Sequence, residues 1–417
     1  MIDHVIDACH AAGVKRVVAV LSPRQPEVAE HLGGRCEVAY QPEPKGSGDA
    51  LARAPEDVLA HGDLLVVNAD SPLLRADTLR QVADAHRKLG APATLASVDD
   101  PSRSDGRIVR GPDGSLERIV EARDATPSER SITEVNVGLY CFRGGSELLQ
   151  ALARLQPANA AGELYLTDLF KQMRPVQVVR LKDPVEAMGV NDRVQLAGAE
   201  KALRLRILEQ LMLSGVTVTD PDTTFVEAGV KIGQDTVVEP FTIIRGETRI
   251  GRDCRIGPAV DMSDCRIADG CRIEHSWLKQ CSMAEGSDCG PYSKLRPGTE
   301  LGLRVHVGSF AEIVRSKIGA GSAVPHFAYV GDAVIGEHVN FAAGAITANY
   351  DGASKHKTVI EDDVLVGVDT LFRAPVRLGK GSRTGAGAVV TKDVPAGATA
   401  VGMPARTVRR NRNMEGQ

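Results

Sequence analysis

The residue types that can carry out chemistry are concentrated around NYDGASKHKT, residues 349–358 of this 417-residue chain. This segment has a Tyr-Asp-Gly turn, a histidine and two lysines, one of which is Lys355. Upstream lies His326. A histidine imidazole in general has an unperturbed pKa of about 6.5 and can accept an amine proton near neutrality. Acyl transfer to an amine needs such a base, an acceptor pocket and a donor for the oxyanion. We therefore predict a transfer site around His326 and this segment.

A second candidate is Asp70, which follows the β-branched run DLLVV. Residues 1 to about 190 alternate such runs with amphipathic segments, and this alternation predicts a mostly parallel, doubly wound sheet. Ligands of such sheets bind beyond the carboxyl ends of the strands, which is where Asp70 is expected. One amphipathic helix is predicted from Asp77 to Leu89, with Gly90 as its C-cap. The residues expected on its buried face are Leu79, Val82, His86 and Leu89.

The second half of the chain has a different period. A long helix is predicted from Asp192 to Ser214, ended by Gly215, with Leu203, Ile207 and Leu211 on one face. After it, aliphatic residues recur every six positions: Val226, Ile232, Val238, Ile244, Ile250 and Ile256. This repeat predicts a left-handed parallel β-helix of hexapeptide repeats, in which three hexads form one triangular coil. We predict three segments: a nucleotidyltransferase-like α/β domain at 1–190, a linker helix at 191–215, and the all-β helix at 216–417.

The composition restricts the classes of partner that this chain is expected to bind. The formal net charge of −4 gives no reason to expect nucleic acid, and no apolar run is long enough to span a membrane. The eight cysteines form no CxxC pair, and five lie between residues 254 and 289. We interpret these five as small buried hydrophobic residues of the repeat, with reduced thiols in a cytoplasmic protein.

Four stretches carry a resemblance to a known family: VNFAAGAITANYDGASKHKTVI, KLRPGTEL at 294–301, HVGSFAEI at 306–313 and PHFAYVGDAVIGEHVN at 325–340. They resemble the acetyltransferase half of the bifunctional bacterial enzymes that make UDP-N-acetylglucosamine. The resemblance implies that His326 is the base and that Glu312 orients it. It implies acceptor contacts from Arg296, Tyr329, Asn340, Asn349, Tyr350 and Lys355. It implies acetyl-CoA contacts from Ala343, Val368, Ala386 and Met403, with the Ala343 N–H as oxyanion donor.

The first half resembles the uridylyltransferase part of the same enzymes. The resemblance implies that nucleotide and sugar are bound by Gln41, Gly46, Ser47, Gly106, Glu121, Asn136 and Asn191. It implies a Mg²⁺ ion held by Asp70 and Asn191, which would bridge the phosphate oxygens of UTP. The implied substrates are glucosamine-1-phosphate, acetyl-CoA and UTP. The implied assembly is a bacterial cytoplasmic homotrimer with acetyl sites between neighbouring chains.

The sequence departs from the family at several positions. Val314 replaces a lysine, with Arg315 beside it, and Val368 replaces a serine. The turn DPSRSDGRI lacks the usual first glycine and tyrosine. The family's first strand and its Gly-rich G-x-G-T-R-M loop are not found in this sequence, so we expect unpaired strand edges and impaired uridylyl transfer. The basic residues Arg406, Arg409, Arg410 and Arg412 are candidates for the 3′-phosphate of coenzyme A.

Three alternatives remain open at this point. The chain could act only as a sugar-phosphate acetyltransferase, or it could be a non-catalytic regulatory subunit built on the same scaffold. A zinc-dependent carbonic anhydrase would need three converging histidines. His306, His326 and His338 are twenty and twelve residues apart, which does not place all three on one rung.

Overall fold

A computed structural model of the chain describes residues 1–103, 105–157 and 162–408. It divides into two compact units, Met1–Leu203 and Arg204–Gln417. Within the described ranges, no helix is both long enough and apolar enough to cross a membrane.

The first unit alternates helices and strands. The helices are α1 Ile2–Ala11, α2 Pro26–Leu32, α3 Ser47–Ala52, α4 Glu56–Ala60, α5 Ala76–Leu89, α6 Pro127–Arg130, α7 Ser146–Ala153 and α8 Leu169–Gln172. The strands are β1 Val18–Leu21, β2 Glu37–Tyr40, β3 Asp63–Val67, β4 Ala93–Asp99, β5 Arg107–Arg110, β6 Leu116–Val120, β7 Glu134–Arg143 and β8 Val176–Arg180. Short 3₁₀ helices span Leu166–Asp168 and Pro184–Ala187.

The sheet of this unit is mixed, so the prediction of a mostly parallel sheet is wrong. The ten-residue strand β7 runs antiparallel to β3, β4 and β5, and only β4 and β8 form a parallel pair in this sheet. Strands β1 and β2 form a separate parallel pair. Among the described residues, β1 pairs only with β2 and β3 only with β7, so each of these two strands has one edge without a partner.

Helix α5 closely matches its prediction. Leu79, Val82 and His86 are buried, and Gly90 ends the helix in the left-handed conformation with φ of 60°. Leu89 is 59% exposed, so its placement on the buried face is wrong. Because Leu89 is the last residue before the cap, the chain has already begun to turn away from the sheet.

Helix α9, Arg193–Leu213, is the predicted long helix within two residues. Its start is capped by the Asp192 side chain, which accepts a hydrogen bond from the Gln195 N–H at 2.8 Å. Ile207 and Leu211 pack against the apolar core of the second unit, where Leu208 is fully buried. Gly215 follows with φ of 96°, a conformation that favours glycine.

The second unit is a left-handed parallel β-helix. Its strands are β9 Thr217–Val218, β10 Phe225–Val226, β11 Lys231–Ile232, β12 Val237–Val238, β13 Ile243–Arg245, β14 Arg249–Ile250, β15 Arg255–Ile256, β16 Asp261–Ser263, β17 Arg266–Ile267, β18 Arg272–Ile273, β19 Trp277–Lys279, β20 Ser282–Met283, β21 Asp288–Cys289, β22 Lys294–Leu295, β23 Glu300–Leu301, β24 His306–Ser309, β25 Glu312–Val314, β26 Lys317–Ile318, β27 Ala323–His326, β28 Tyr329–Gly331, β29 Ala333–Ile335, β30 Asn340–Phe341, β31 Ile346–Ala348, β32 Thr358–Ile360, β33 Leu365–Val366, β34 Leu371–Arg373, β35 Val376–Leu378, β36 Arg383–Thr384, β37 Val389–Val390, β38 Thr399–Val401 and β39 Arg406–Val408.

Every third strand belongs to the same face of the triangular coil. The first face runs from β10 through β13 to β37, the second from β11 through β14 to β35, and the third from β9 through β12 to β36 and then β38 and β39. The six predicted aliphatic positions point inward, and all are buried except Ile232, which is half-buried. The interior is therefore filled by the chain's own side chains, and ligands must bind on the outer faces or corners.

Four of the five cysteines between residues 254 and 289 belong to inward columns shared with threonine and serine, and Cys289 lies in an aliphatic column between Ile273 and Val307. The hydroxyl of Thr236 accepts a hydrogen bond from the Cys254 N–H at 3.0 Å, and Thr248 does the same for Cys265. All five thiols are buried and free, which confirms their interpretation as small core residues. In the part of the chain that the structure describes, no cluster of three metal-ligating side chains is found.

Candidate active sites

The predicted base and three predicted acetyl-CoA residues lie in one column on the second unit. The column, here called the corner column, consists of His326, Ala343, Val368 and Ala386, at the corner between the third and first faces. Strand registers place one of them on each successive coil. The Asp369 N–H bonds the Ala343 carbonyl at 2.8 Å, linking two of these coils. Adjacent parallel strands are about 4.8 Å apart, so the column extends over roughly 14 Å.

The N–H group of Ala343 has no acceptor among the described residues, so it is available to a ligand. Val368 is 46% exposed and Ala386 is also exposed, so the surface above Ala343 is open. Met403 is 77% exposed and lies beyond strand β38. Arg406 is exposed in β39, whereas Arg409, Arg410 and Arg412 lie outside the described residues.

Of the predicted acceptor contacts, Arg296 and Tyr329 lie on the first face, beside the corner column. Glu312 and Tyr329 are in register on adjacent strands, and Arg296 lies one coil below Glu312. The Arg296 guanidinium donates to the Glu312 carboxylate at 2.8 Å. The structure therefore places Glu312 in contact with Arg296. Within the described chain, no hydrogen bond joins Glu312 to His326.

A polar cluster lies at the far edge of the same face. A Cβ atom on Gly331 would come within 2.6 Å of the Tyr329 hydroxyl and 2.7 Å of the Asn349 amide nitrogen, so these two groups lie close together. The Asn349 amide donates to the Asp332 carboxylate at 2.5 Å. Asn340 is not part of this cluster, because it begins β30 on the third face, at the end away from the corner column, where it is exposed. The structure thus brings Tyr329 and Asn349 together, as the resemblance implies.

Residues 349–357, here called the arm, replace one corner of the coil. The register between β31 and β34 pairs Ile346 with Leu371, an offset of 25 residues, whereas Glu312 and Tyr329 are 17 apart. The arm is held by its own hydrogen bonds, including an antiparallel bridge between Tyr350 and Lys355. It is therefore an ordered projection that presents Lys355 to solvent.

Asp351 is the internal anchor of the arm. Its carboxylate accepts hydrogen bonds from the backbone N–H groups of Ser354 and Ala353 and contacts His356 at 2.6 Å. These bonds hold the pKa of the Asp351 carboxyl well below its usual range. The hydroxyl of Tyr350, a predicted substrate contact, donates to the Gly352 carbonyl at 2.6 Å.

The predicted uracil-contacting loop of the first unit is ordered by contacts with a second segment. The Ser47 hydroxyl accepts from the Leu166 N–H at 3.1 Å, and the Gly48 N–H donates to the Leu164 carbonyl. A Cβ atom on Gly46, whose φ is 110°, would lie 2.6 Å from the Leu164 carbonyl oxygen. Only glycine therefore allows this approach.

Gln41 closes the same loop by donating to the Gly46 carbonyl and to the Asp49 carboxylate. Burial acts to raise the pKa of Asp49, but the hydrogen bonds from Gln41 and Arg53 outweigh it, and the pKa is lowered overall. Asp49 therefore remains a buried anion that fixes the Gln41 side chain.

The predicted sugar contacts also converge. The Asn136 N–H donates to the Gly106 carbonyl at 2.8 Å, and the Asn136 amide donates to the buried Tyr140 hydroxyl at 2.7 Å. A Cβ atom on Gly106 would lie 3.2 Å from a Glu121 carboxylate oxygen, so glycine leaves space beside that carboxylate. Burial raises the pKa of Glu121.

The two predicted metal ligands are brought together by the backbone. The Val190 N–H donates to the Asp70 carbonyl at 3.0 Å, which places Asn191 beside Asp70. Burial raises the pKa of the Asp70 carboxyl. One carboxylate and one amide oxygen suit Mg²⁺, which binds few protein ligands and keeps water or phosphate oxygens in its other positions. The residues present therefore fit the ion.

The raised pKa of Glu121 predicts a stability effect with a defined sign. Its pKa in the folded state exceeds that of the unfolded chain, so ionised Glu121 destabilises the fold at neutral pH, and this cost disappears as pH falls below the ordinary value. We expect Glu121→Gln to raise the melting temperature of the first unit by about 2 °C at pH 8, with no gain at pH 4. Thermal unfolding at the two pH values measures this.

Glu129 is the matched control for this prediction. Its carboxylate is bonded by Thr126 and Arg118, and these contacts lower its pKa to about 2. Glu129→Gln should therefore lower the melting temperature at pH 8, in the opposite direction to Glu121→Gln. A decrease for both variants would contradict the assigned cost of burying Glu121.

Several residues of these sites were not predicted from the sequence. Asp49, Tyr140 and Asp332 each hold a predicted residue in place through a hydrogen bond, and Asp351 bonds Ala353, Ser354 and His356 within the arm. No local pattern marks them, except that Asp351 lies in the Tyr-Asp-Gly turn.

Comparisons with known proteins agree with this two-part architecture. A MobA-like NTP transferase domain model matches residues 1–177, and a bacterial transferase hexapeptide model of six repeats matches residues 229–260. A protein named bifunctional protein GlmU from Desulfitobacterium hafniense (strain DSM 10664 / DCB-2) is 42% identical over 407 residues, covering 96% of this chain and 89% of the relative.

A second relative of the same name, from Rubrobacter xylanophilus, is 46% identical over 416 residues, covering 98% of this chain and 88% of its own length. A solved Francisella novicida UDP-N-acetylglucosamine acyltransferase is 18% identical, with a TM-score of 0.35, over 48% of this chain and 71% of that chain. This last likeness is too low to support an inference.

Proposed function

The chain belongs to the GlmU family of bifunctional transferases, and from this premise we propose that its second unit transfers the acetyl group of acetyl-CoA to the amine of glucosamine-1-phosphate. The observation that supports this proposal most is the corner column beside the acceptor face. It sets an imidazole, a free backbone N–H and an open strip of surface on consecutive coils, with Tyr329 in the strand that follows His326 and Arg296 two coils below Tyr329.

In the proposed reaction, the amine nitrogen attacks the thioester carbon of acetyl-CoA. A C–N bond forms, the C–S bond breaks, and coenzyme A leaves as a thiol. His326 takes the proton that the amine loses and returns it to the departing thiolate, so that coenzyme A leaves as the thiol. The Ala343 N–H stabilises the negative charge that develops on the thioester oxygen. The extended pantetheine arm of the donor would follow Val368 and Ala386 along the coil axis.

The acceptor phosphate requires cations. Arg296 offers a planar fork that suits phosphate oxygens, and its contact with Glu312 holds it in place. Lys355 of the arm supplies a second positive charge. Tyr329 and Asn349, which lie together, are proposed to bind the sugar or its phosphate. We keep Glu312 as the acidic group that orients His326, and the support is that the strand of Glu312 lies one coil below the strand that follows His326.

The proposal is tested by incubating the purified chain with acetyl-CoA and glucosamine-1-phosphate. We expect free thiol to appear, together with an acetylated sugar phosphate identified by mass. Glucose-1-phosphate, which has no amine, is the negative control. An assembled protein that releases no thiol with any hexosamine phosphate would rule out the proposal.

We propose that the first unit binds a uridine nucleotide and an N-acetylhexosamine phosphate. The support is the convergence of Gln41, Gly46 and Ser47 in one ordered loop, and of Gly106, Glu121 and Asn136 in a second cluster. Mg²⁺ held by Asp70 and Asn191 would neutralise the phosphate charge. Uridylyl transfer from UTP is tested by pyrophosphate release with and without Mg²⁺.

Relatives are bacterial and the thiols are free, so we propose that both activities take place in the cytoplasm.

We further propose that the chain acts as a homotrimer whose acetyl sites lie between copies. In support, aromatic rings stack outside the solenoid on the corner that carries His326. This aromatic column consists of His275, Tyr292, Phe310 and Phe327, which occupy the corner on successive coils, and below it Ala259 separates His275 from Phe241. The ring centroids of His275 and Tyr292, and those of Tyr292 and Phe310, are 5.4 Å apart, and Tyr292 and Phe310 are both more than half exposed. An exposed aromatic column that ends at Phe327, next to His326, is suited to cover by a second copy.

This assembly predicts that Phe310→Glu converts trimers to monomers and removes most of the acetyl transfer activity, because a charge would be buried in the contact. Sedimentation and thiol release measure the two effects. Leu303→Glu is the control, since Leu303 is also exposed but lies at a different corner. A Phe310→Glu variant that stays trimeric and fully active would exclude this surface as the interface.

A further inference from the structure

Arg315 occupies a corner of the solenoid and makes a contact that its backbone position does not require. It lies at the corner between the first and second faces, in the left-handed conformation with φ of 45°. The residues that occupy this corner on other coils are Gly246, Asp264, Gln280, Gly298 and Asp332. Glycine and aspartate tolerate that conformation well, whereas arginine gains no such advantage. Backbone geometry therefore does not explain why an arginine is present.

The guanidinium of Arg315 is held in one orientation. Its Nε donates to one oxygen of Asp332 at 2.6 Å, and Nη2 donates to the other at 2.8 Å. The same carboxylate accepts from the Asn349 amide. The contact with Arg315 is the largest cause of a lowered pKa for Asp332, which therefore stays ionised. An exposed ion pair of this kind contributes little to stability.

The third nitrogen of this guanidinium, Nη1, has no acceptor in the described part of the chain. The Arg315 side chain is 41% exposed, so Nη1 is accessible to a ligand. Val314, the preceding residue, is 2% exposed and offers no polar group. A positioned, accessible donor beside a fixed ion pair is well suited to a second, charged partner.

The arm begins and ends directly above this pair. The Thr358 N–H donates to the Asp332 carbonyl at 3.2 Å, and the His356 N–H donates to the Asn349 carbonyl at 2.7 Å. Lys355 is close enough to Asp332 to lower its pKa. Two cations, Arg315 and Lys355, therefore lie around one carboxylate whose hydrogen bonds are already used.

We propose that Arg315, positioned by Asp332, binds the phosphate of the acceptor together with Lys355. This inference rests on the proposed acetyl transfer, and it adds a contact that would select a phosphorylated acceptor. Phosphate oxygens would accept from Nη1 of Arg315 and from the Lys355 ammonium, while Asn349 and Tyr329 lie alongside.

The test is a steady-state comparison of Arg315→Ala with its parent. We expect the KM for glucosamine-1-phosphate to rise about tenfold, with kcat and the KM for acetyl-CoA unchanged. Glucose-1-phosphate has the phosphate but no amine, and its inhibition constant should rise by the same factor. Arg315→Lys should give an intermediate value, because lysine keeps the charge but loses the fork.

Arg245→Ala is the matched control, since Arg245 pairs with Asp261 at 2.6 Å on the same face and is 43% exposed. It should leave all these constants unchanged. An unchanged inhibition constant in Arg315→Ala, or a fall in kcat with KM constant, would overturn the inference. A parent chain that releases no thiol would instead overturn the proposed function, so the two failures are distinguishable.

Discussion

Replacing His326 by alanine should lower kcat for acetyl transfer by about 10²- to 10⁴-fold, because no other positioned group would take the proton of the attacking amine. The ring is exposed and makes no hydrogen bond within the described chain, so its removal leaves no cavity and no unpaired polar group. The KM for both substrates should change little. Thiol release and thermal unfolding of the same preparation measure the rate and the stability.

His338→Ala is the control for this variant. His338 is an exposed histidine on the same solenoid, but it lies at another corner, between β29 and β30. Its removal should leave kcat unchanged. If His326→Ala kept the parental rate at every pH tested, the base would have to be a different group, and the corner column would lose its proposed role.

Replacing Lys355 by alanine should lower kcat/KM for glucosamine-1-phosphate by about 10- to 100-fold. A charge-assisted hydrogen bond is worth about 1.5–3 kcal/mol, and each 1.4 kcal/mol is a factor of ten. The loss should appear in KM, since the phosphate keeps its charge throughout the reaction. The arm itself should remain ordered, because its anchor is the Asp351 carboxylate and not the Lys355 side chain.

Lys357→Ala tests whether position or net charge matters. Lys357 is exposed and lies two residues further along the arm, so its replacement by alanine removes the same charge at a different position. If Lys355 contacts the phosphate directly, Lys357→Ala should lower kcat/KM for glucosamine-1-phosphate by less than a factor of three. Equal losses in the two variants would show that the arm acts only through its general electrostatic field.

The sequence was most informative where a period or a motif determined the geometry. The six-residue rhythm predicted the solenoid and its inward positions, because each coil repeats the same contacts with its neighbours. It also identified the arm as an interruption, and the structure accommodates the arm as an insertion above Asp332. The positions expected at the corner column fall on consecutive coils because hexads of nearly constant length preserve register.

Contacts between segments that are distant in the sequence could not be predicted from such a period or motif. Strand β7 runs antiparallel to β3, β4 and β5, and no local pattern in the sequence encodes the direction of these pairings. The pairing of Glu312 with Arg296 follows from the registers of neighbouring coils and not from their spacing in the chain. The bidentate contact between Arg315 and Asp332 likewise depends on two corners being aligned.

The most direct test of the central claim is a crystal structure of the assembled protein with glucosamine-1-phosphate and coenzyme A bound together. We predict the acceptor nitrogen within 2.6–3.2 Å of a ring nitrogen of His326, or one water away, with the phosphate on Arg296 and Lys355. An acceptor bound with its amine out of reach of every His326 ring in the assembly would contradict the account.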